Sequence, residues 1–283
     1  MCCNIKLSRY AALLMAMLIS IICPNVLKAQ ERITKPPGGN QQLPRPVEPP
    51  KDIKPDIVPI KDILPCGSTV RDASGNVYNV VQIGTQCWMK ENLRTTRFRN
   101  GDEIRELRVG ETVPTPIVSM YARPVPAIGL GTTSQVEAAI LKFGRLYNIQ
   151  AILNPRGICP AGWHVPTKAE YETLINFLGG AATAGGHLKA IDVATNSWGA
   201  SNIGATNSSG FSALPGGRLL LTYEDISCCF ARYWTINPSP VPAPRPGELP
   251  TRYQYLNLTA NSAAATFGNS VPGDFGSCRC IKD

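Results

Sequence analysis

The stretch Cys159-Pro160-Ala161-Gly162-Trp163-His164-Val165-Pro166-Thr167-Lys168-Ala169-Glu170-Tyr171-Glu172-Thr173-Leu174-Ile175-Asn176-Phe177-Leu178-Gly179-Gly180 decides the fold class. Its second half predicts a helix. Thr167 stands where an N-cap hydroxyl is needed, and Glu170 three residues later completes a capping box. Tyr171, Leu174, Ile175 and Leu178 recur at helical spacing and form one apolar face, and Gly179-Gly180 stops the helix. Outward from this segment the chain reads as short strands and turns. Asn76–Ile83 alternates partly after the Ser74-Gly75 turn. Downstream, Gly210–Leu214, Ala231–Thr235, Tyr253–Leu258 and Cys278–Ile281 read as further strands. Segment 236–250 holds six prolines and is expected to be a loop, and segment 105–135 is expected to be irregular. Few helices, many short strands and long loops predict an α+β domain rich in non-regular structure.

The remainder of the chain sets the context of that domain. Lys6 and Arg9 precede an uncharged apolar run, Ala11–Ile22, and Ala29 supplies a small residue before Gln30. This pattern predicts a signal peptide over residues 1–29, cut before Gln30. The run is shorter than the ~20 residues that cross a bilayer, so no transmembrane segment is expected after cleavage. Cys23 is a weaker lipid-attachment candidate, because Ile22 stands where a small residue belongs and Pro24 follows. Residues 30–65 carry nine prolines and read as a proline-rich linker. Such composition favours extended polyproline II, reaching on the order of 100 Å if fully stretched. The domain is expected over residues 66–283. Loss of the leader removes three basic residues and leaves 25 basic against 20 acidic ones. That mild excess shows no basic cluster interleaved with aromatics, so nucleic acid is not an expected partner. Localisation outside the cytoplasm, secreted or on the outer membrane or cell surface, is the expectation.

Seven cysteines follow the expected leader: Cys66, Cys87, Cys159, Cys228, Cys229, Cys278 and Cys280. In an exported chain disulfides are their default fate. No C-x-x-C pair exists, and His164 and His187 lack metal-like spacing, so no metal site is expected. The odd number leaves one thiol over, and counting alone leaves the connectivity open. Cys66 with Cys87 is one expected bond, because the two flank one short strand region.

At this point a resemblance enters. Asp72-Ala73-Ser74-Gly75-Asn76-Val77-Tyr78 and Gln82-Ile83-Gly84-Thr85-Gln86-Cys87-Trp88-Met89-Lys90-Glu91-Asn92-Leu93 resemble the opening of the Fibrobacter succinogenes major paralogous domain. The likeness continues through Gly144-Arg145-Leu146-Tyr147-Asn148, Cys159–Thr167, Gly204–Gly217 and Arg279-Cys280-Ile281-Lys282-Asp283. The blocks run in order over nearly all of residues 66–283. The resemblance implies a C-type-lectin-like fold, distantly related to the formylglycine-generating enzyme, on exported proteins of Bacteroidetes. It also implies a bond from Cys159 to Cys280, joining the helical region to the last strand. Of Cys228, Cys229 and Cys278, one vicinal thiol, with Cys229 as the candidate, is then expected to bond Cys278. The chain departs from the family pattern in segments 105–143 and 218–277.

Three function classes follow. The first is a non-catalytic binding module for a surface protein or glycan, using the loops around Thr222–Phe230 and Asn237–Thr251 with Arg232, Tyr233, Trp234 and Asn237. The tripeptides with which calcium-dependent lectins hold sugar are absent from this sequence. The second is a pilus or outer-membrane accessory subunit. The third is a copper–thiolate oxidase like the formylglycine-generating enzyme, with Cys228-Cys229 or Cys278/Cys280 as soft ligands. Neither pair keeps that enzyme's spacing. Because G-x-S-x-G, H-E-x-x-H and phosphate-loop motifs are also missing, no catalytic residue and no cofactor is expected.

Overall fold

The computed structural model describes residues 4–6, 66–108, 110–124, 132–191, 197–199, 201–220, 222–227, 230–239 and 252–283. They belong to one compact unit, residues 65–283 with the first six residues. Most of the expected leader and the whole expected linker lie outside the described residues. In chain order the elements are β1 (Asn4–Lys6), β2 (Thr69–Arg71), β3 (Val77–Ile83), β4 (Gln86–Met89), β5 (Arg105–Glu106), β6 (Met120–Ala122), α1 (Thr133–Phe143), β7 (Leu146–Asn148), α2 (Ile149–Ile152), β8 (Trp163–His164), α3 (Lys168–Phe177), α4 (Ala181–Leu188), β9 (Arg218–Leu220), β10 (Thr222–Ser227), β11 (Phe230–Pro238), β12 (Tyr253–Thr259), β13 (Ala265–Ser270), β14 (Phe275–Ser277) and β15 (Ile281–Lys282). The class is α+β, mostly sheet with few helices.

Two sheets organise these strands. The larger runs β1-β10-β9-β14-β11-β12-β13, and β7, β6 and β5 branch in turn from β14. The smaller runs β2-β3-β4-β15-β8. Pairing is antiparallel except for β11 with β14 and β5 with β6. Helix α3 forms as its residues dictate. The Thr167 hydroxyl accepts from the Glu170 amide, and the Glu170 carboxylate accepts from the Thr167 amide. Each such cap is worth ~1 kcal/mol. The buried face of α3 is Tyr171, Leu174 and Ile175. Tyr171 stacks on Trp88 at 5.1 Å, and Phe211 meets Trp88 edge-on at 5.7 Å and Tyr233 at 5.8 Å. Four aromatics from α3, β4, the 211 segment and β11 thereby lock helix and sheets together.

Several expectations are corrected. Cys278–Cys280 is not strand: these residues carry the chain from β14 in the large sheet to β15 in the small one. The Cys278 and Cys280 carbonyls instead accept from the Leu93 and Met89 amides. Gly210–Leu214 is irregular, with only Ala213 bridging Lys189. Thr222–Ser227, expected in a loop, is β10 paired with β9. The 105–135 segment contains β5 and β6 and the start of α1, which is closed by a second capping box at Thr132 and Gln135. Helix α4 also escaped the sequence reading. Gly185 and Gly186 sit so close to the Ala264 and Gly204 carbonyls that a Cβ at either would strike backbone.

Candidate functional site

The residues that carry the resemblance are spent on the frame. Asn92 donates to the Phe143 carbonyl at 2.9 Å and accepts from buried Arg279. Arg279 also donates to the Phe211 carbonyl and stacks on the Phe211 ring at 4.2 Å. Gly144 is obligatory. Its φ of +76° lies in the left-handed region, and a Cβ there would stand 2.5 Å from that of Asn92. Arg99 holds the loop before β8 by donating to the Cys159, Pro160 and Trp163 carbonyls.

Asn148 builds a cleft from that frame. Fully buried, its side-chain oxygen accepts from the Met120 and Ala151 amides, and its amide donates to the Val118 carbonyl at 2.6 Å. One side chain thus caps α2 and pins the 117–119 segment and the start of β6 beside it. Ser119 adds a bond to the Gln150 carbonyl at 2.9 Å, and Asn154 donates to the Ser119 hydroxyl at 3.1 Å. Between these segments, Tyr253 at the start of β12 and Pro272 lies a cleft of 540 Å³. Among the described residues, no Asp, Glu, Lys, Arg or His lines it. Val118 and Leu153 present apolar surface at its rim, 41% and 39% exposed. The Gln150 side-chain oxygen is shielded from solvent and has no hydrogen-bond partner among the described residues. A buried acceptor without a donor is costly.

The sequence candidates fall elsewhere. Tyr233 and Trp234 are buried, because β11 has β12 on one side and β14 on the other and both its faces are covered. The Trp234 indole donates to the Tyr147 carbonyl at 2.7 Å. Neither ring reaches a surface, so both leave the candidate set. Arg232 lies over the Tyr255 ring at 4.2 Å. Asn237 accepts from the Lys168 amide at 2.7 Å and so serves as a further cap on α3. The proline segment 240–251 lies outside the described residues, as do Cys228 and Cys229.

The structure brings Cys66 to Cys87 and Cys159 to Cys280 as disulfides, over separations of 21 and 121 residues. Cys278 is a free, fully buried thiol, and its expected partner Cys229 lies outside the described residues. Its sulfur lies within 4.8 Å of those of Cys159 and Cys280, and burial pushes its pKa far up. Since Cys280 is already bonded, Cys278 and Cys280 do not stand together as free thiolates. His164 joins β8 to the chain end and to α3. Its Nδ1 is 2.6 Å from the Asp283 carboxylate and its Nε2 2.8 Å from that of Glu170. Burial alone would lower its pKa, but the hydrogen bonds to the two carboxylates prevail and raise it. What sequence reasoning missed is the cleft. Its walls come from four separate segments, two of which Asn148 and Ser119 tie together.

This α+β frame, with its resemblance blocks converted into buried contacts, defines the class to which the chain belongs. The chain is a member of the Fibrobacter succinogenes major domain family, whose sequence model matches residues 81–282. Among curated proteins and solved structures nothing matches.

Proposed function

We propose that this protein is an exported, non-catalytic surface module. In this reading a C-type-lectin-like frame, carried on a proline-rich tether, binds an uncharged ligand, a glycan or a protein segment, in the cleft between α2, the 117–119 segment and Tyr253. One observation carries the reading: half of the cleft's lining comes from the segments in which the chain departs from its family pattern. Ile117–Ser119 fall in the first departing segment, and Tyr253 and Pro272 in the second, facing the Ile149–Pro155 stretch between two matching blocks. The matching blocks build the frame, and departing segments close one side of the concavity. The chemistry of the lining supports an uncharged ligand with apolar surface and at least one hydrogen-bond donor. Pockets of this kind bind by excluding water from apolar walls while one polar group sets orientation. The two bonds that close the domain, with Cys159 ahead of α3 and Cys280 beside the last strand, suit a module that must hold its shape outside the cell. A library of neutral glycans and envelope proteins, screened with wild type and with Leu153→Arg, tests this. The wild type is expected to retain a ligand that Leu153→Arg loses. Equal retention by both would refute the cleft as the site.

A further inference from the structure

The geometry points to a second binding site, separate from the cleft, in which Arg94 and Arg145 take an oxyanion-bearing saccharide through its carboxylate or sulfate groups. Arg94 lies over the Tyr78 ring at 4.5 Å, and its Nη2 donates to the Val77 carbonyl at 2.8 Å. Arg145 lies over the Tyr121 ring at 4.7 Å, and its Nε donates to the Arg94 carbonyl at 3.2 Å. That last bond sets the Arg145 guanidinium against the Arg94 backbone. Each guanidinium has a ring beneath it and a carbonyl at one edge, and among the described residues no other side-chain hydrogen bond holds it. Both side chains are half-buried.

Counter-ions explain why the pair is available. Among the described residues neither guanidinium has a carboxylate within 4.0 Å, whereas their neighbours do. Arg97 pairs with Glu103 at 2.7 Å, Arg123 with Glu106 at 3.6 Å, and Arg156 with Asp102 at 2.9 Å. Asp72 is saturated by the Tyr78 hydroxyl, the Ser74 and Asn76 amides and the Asn76 side chain. Two partly desolvated, pre-oriented guanidiniums without anions fit planar carboxylate and sulfate groups, which accept paired N–H donors. The acidic pair Glu103 and Glu106, which also acts on the Tyr121 phenol, repels a continuous polyanion such as nucleic acid. It tolerates spaced charges on a saccharide of alternating acidic and neutral sugars.

Isothermal titration of the full, oxidised chain decides this. The probes are hyaluronan hexasaccharide (carboxylate only), chondroitin-4-sulfate hexasaccharide (carboxylate and sulfate), neutral chitohexaose and a glutamate-rich peptide. Binding of either acidic saccharide, weakening with salt and lost at least tenfold in both Arg94→Gln and Arg145→Gln, supports the site. Which acidic saccharide binds identifies the source of the anion. Arg145→Lys, which keeps the charge but loses the fork, is expected to fall between wild type and Arg145→Gln, so a folding defect in one glutamine variant does not decide the matter. Arg156→Gln and the cleft variant Leu153→Arg are expected to bind as wild type does, which separates this site from the proposed cleft. Equal binding of chitohexaose, tighter binding of the peptide, no binding of either acidic saccharide, or unchanged affinity in both glutamine variants would overturn the assignment.

Discussion

Replacing Lys189 with methionine should destabilise the domain by roughly 2–3 kcal/mol, and the figure follows from opposing terms in one buried group. Lys189 is fully buried, and its Nζ donates to the Ile203, Thr259 and Ser262 carbonyls at 2.8, 3.0 and 2.8 Å. Three N–H bonds tie the 203 segment to the end of β12 and the turn after it, and among the described residues no carboxylate pairs with the charge. Removing the donors leaves three carbonyls unpaired at ~2 kcal/mol each, on the order of 6 kcal/mol in all. Against this, burial depresses the ammonium from its usual 10.5 to about 8, which at about 1.36 kcal/mol per pKa unit is a cost of about 3.4 kcal/mol that methionine escapes. The carbonyls outweigh the charge. Urea unfolding at pH 7 should show a lower midpoint with unchanged slope, and the melting temperature should fall by roughly 5–10 °C. The pH dependence provides an internal check. Between pH 8 and 10.5 the unfolded chain holds a proton that the folded chain has released, so wild-type stability rises with pH and its margin over Lys189→Met widens. A methionine variant as stable as wild type, or more so, would refute the reasoning. It would place this lysine among buried charges better replaced by apolar groups.

Other outcomes follow from single contacts. The raised pKa of His164 means that its stabilisation is fully present below the unfolded value near 6.5 and is lost as pH rises through the folded value. The stability difference between wild type and His164→Gln should therefore shrink as a titration goes from pH 5 to 9, and a constant difference would contradict this. Removing the Cys159–Cys280 bond with a Cys159→Ser/Cys280→Ser pair should cost about 5 kcal/mol, and removing Cys66–Cys87 about 3, because the loops differ in length. Denaturant midpoints would show the order, and the reverse order would count against the loop-entropy account. In Cys280→Ser alone, peptide mapping should find Cys159 bonded to Cys278, whose sulfur is already within reach. Gly144→Ala should cost at least ~2 kcal/mol by thermal melting, through its positive φ and the clash with Asn92.

What could be read from the sequence was what is decided locally. The start of α3 lies in four consecutive residues, and Thr167 and Glu170 act as their spacing implies. Strand β3 alternates and follows a turn, so period and punctuation agree. Helix α1 was missed although Thr132 and Gln135 also form a capping box. It follows a proline-rich, irregular stretch, and its Leu141 faces solvent and blurs the apolar face. The role of Tyr233 and Trp234 could not be settled from β11 itself. One face of a strand usually meets water, and only the packing of Tyr255 and Phe211 shows that both faces here are covered. The cleft was illegible for the same reason. Asn148 appeared as the end of a family block, and nothing local announces that its three hydrogen bonds join segments 30 residues apart. Counting thiols could not show that Cys278 is buried beside the Cys159–Cys280 bond.

Hydrogen–deuterium exchange on the full chain, with and without the ligand retained in the screen, tests the central claim most directly. The account predicts slowed exchange on binding at residues 117–119, 149–154 and 253. It also predicts that the ligand is recovered chemically unchanged. Protection confined to other parts of the frame, or conversion of the ligand to a product, would contradict it.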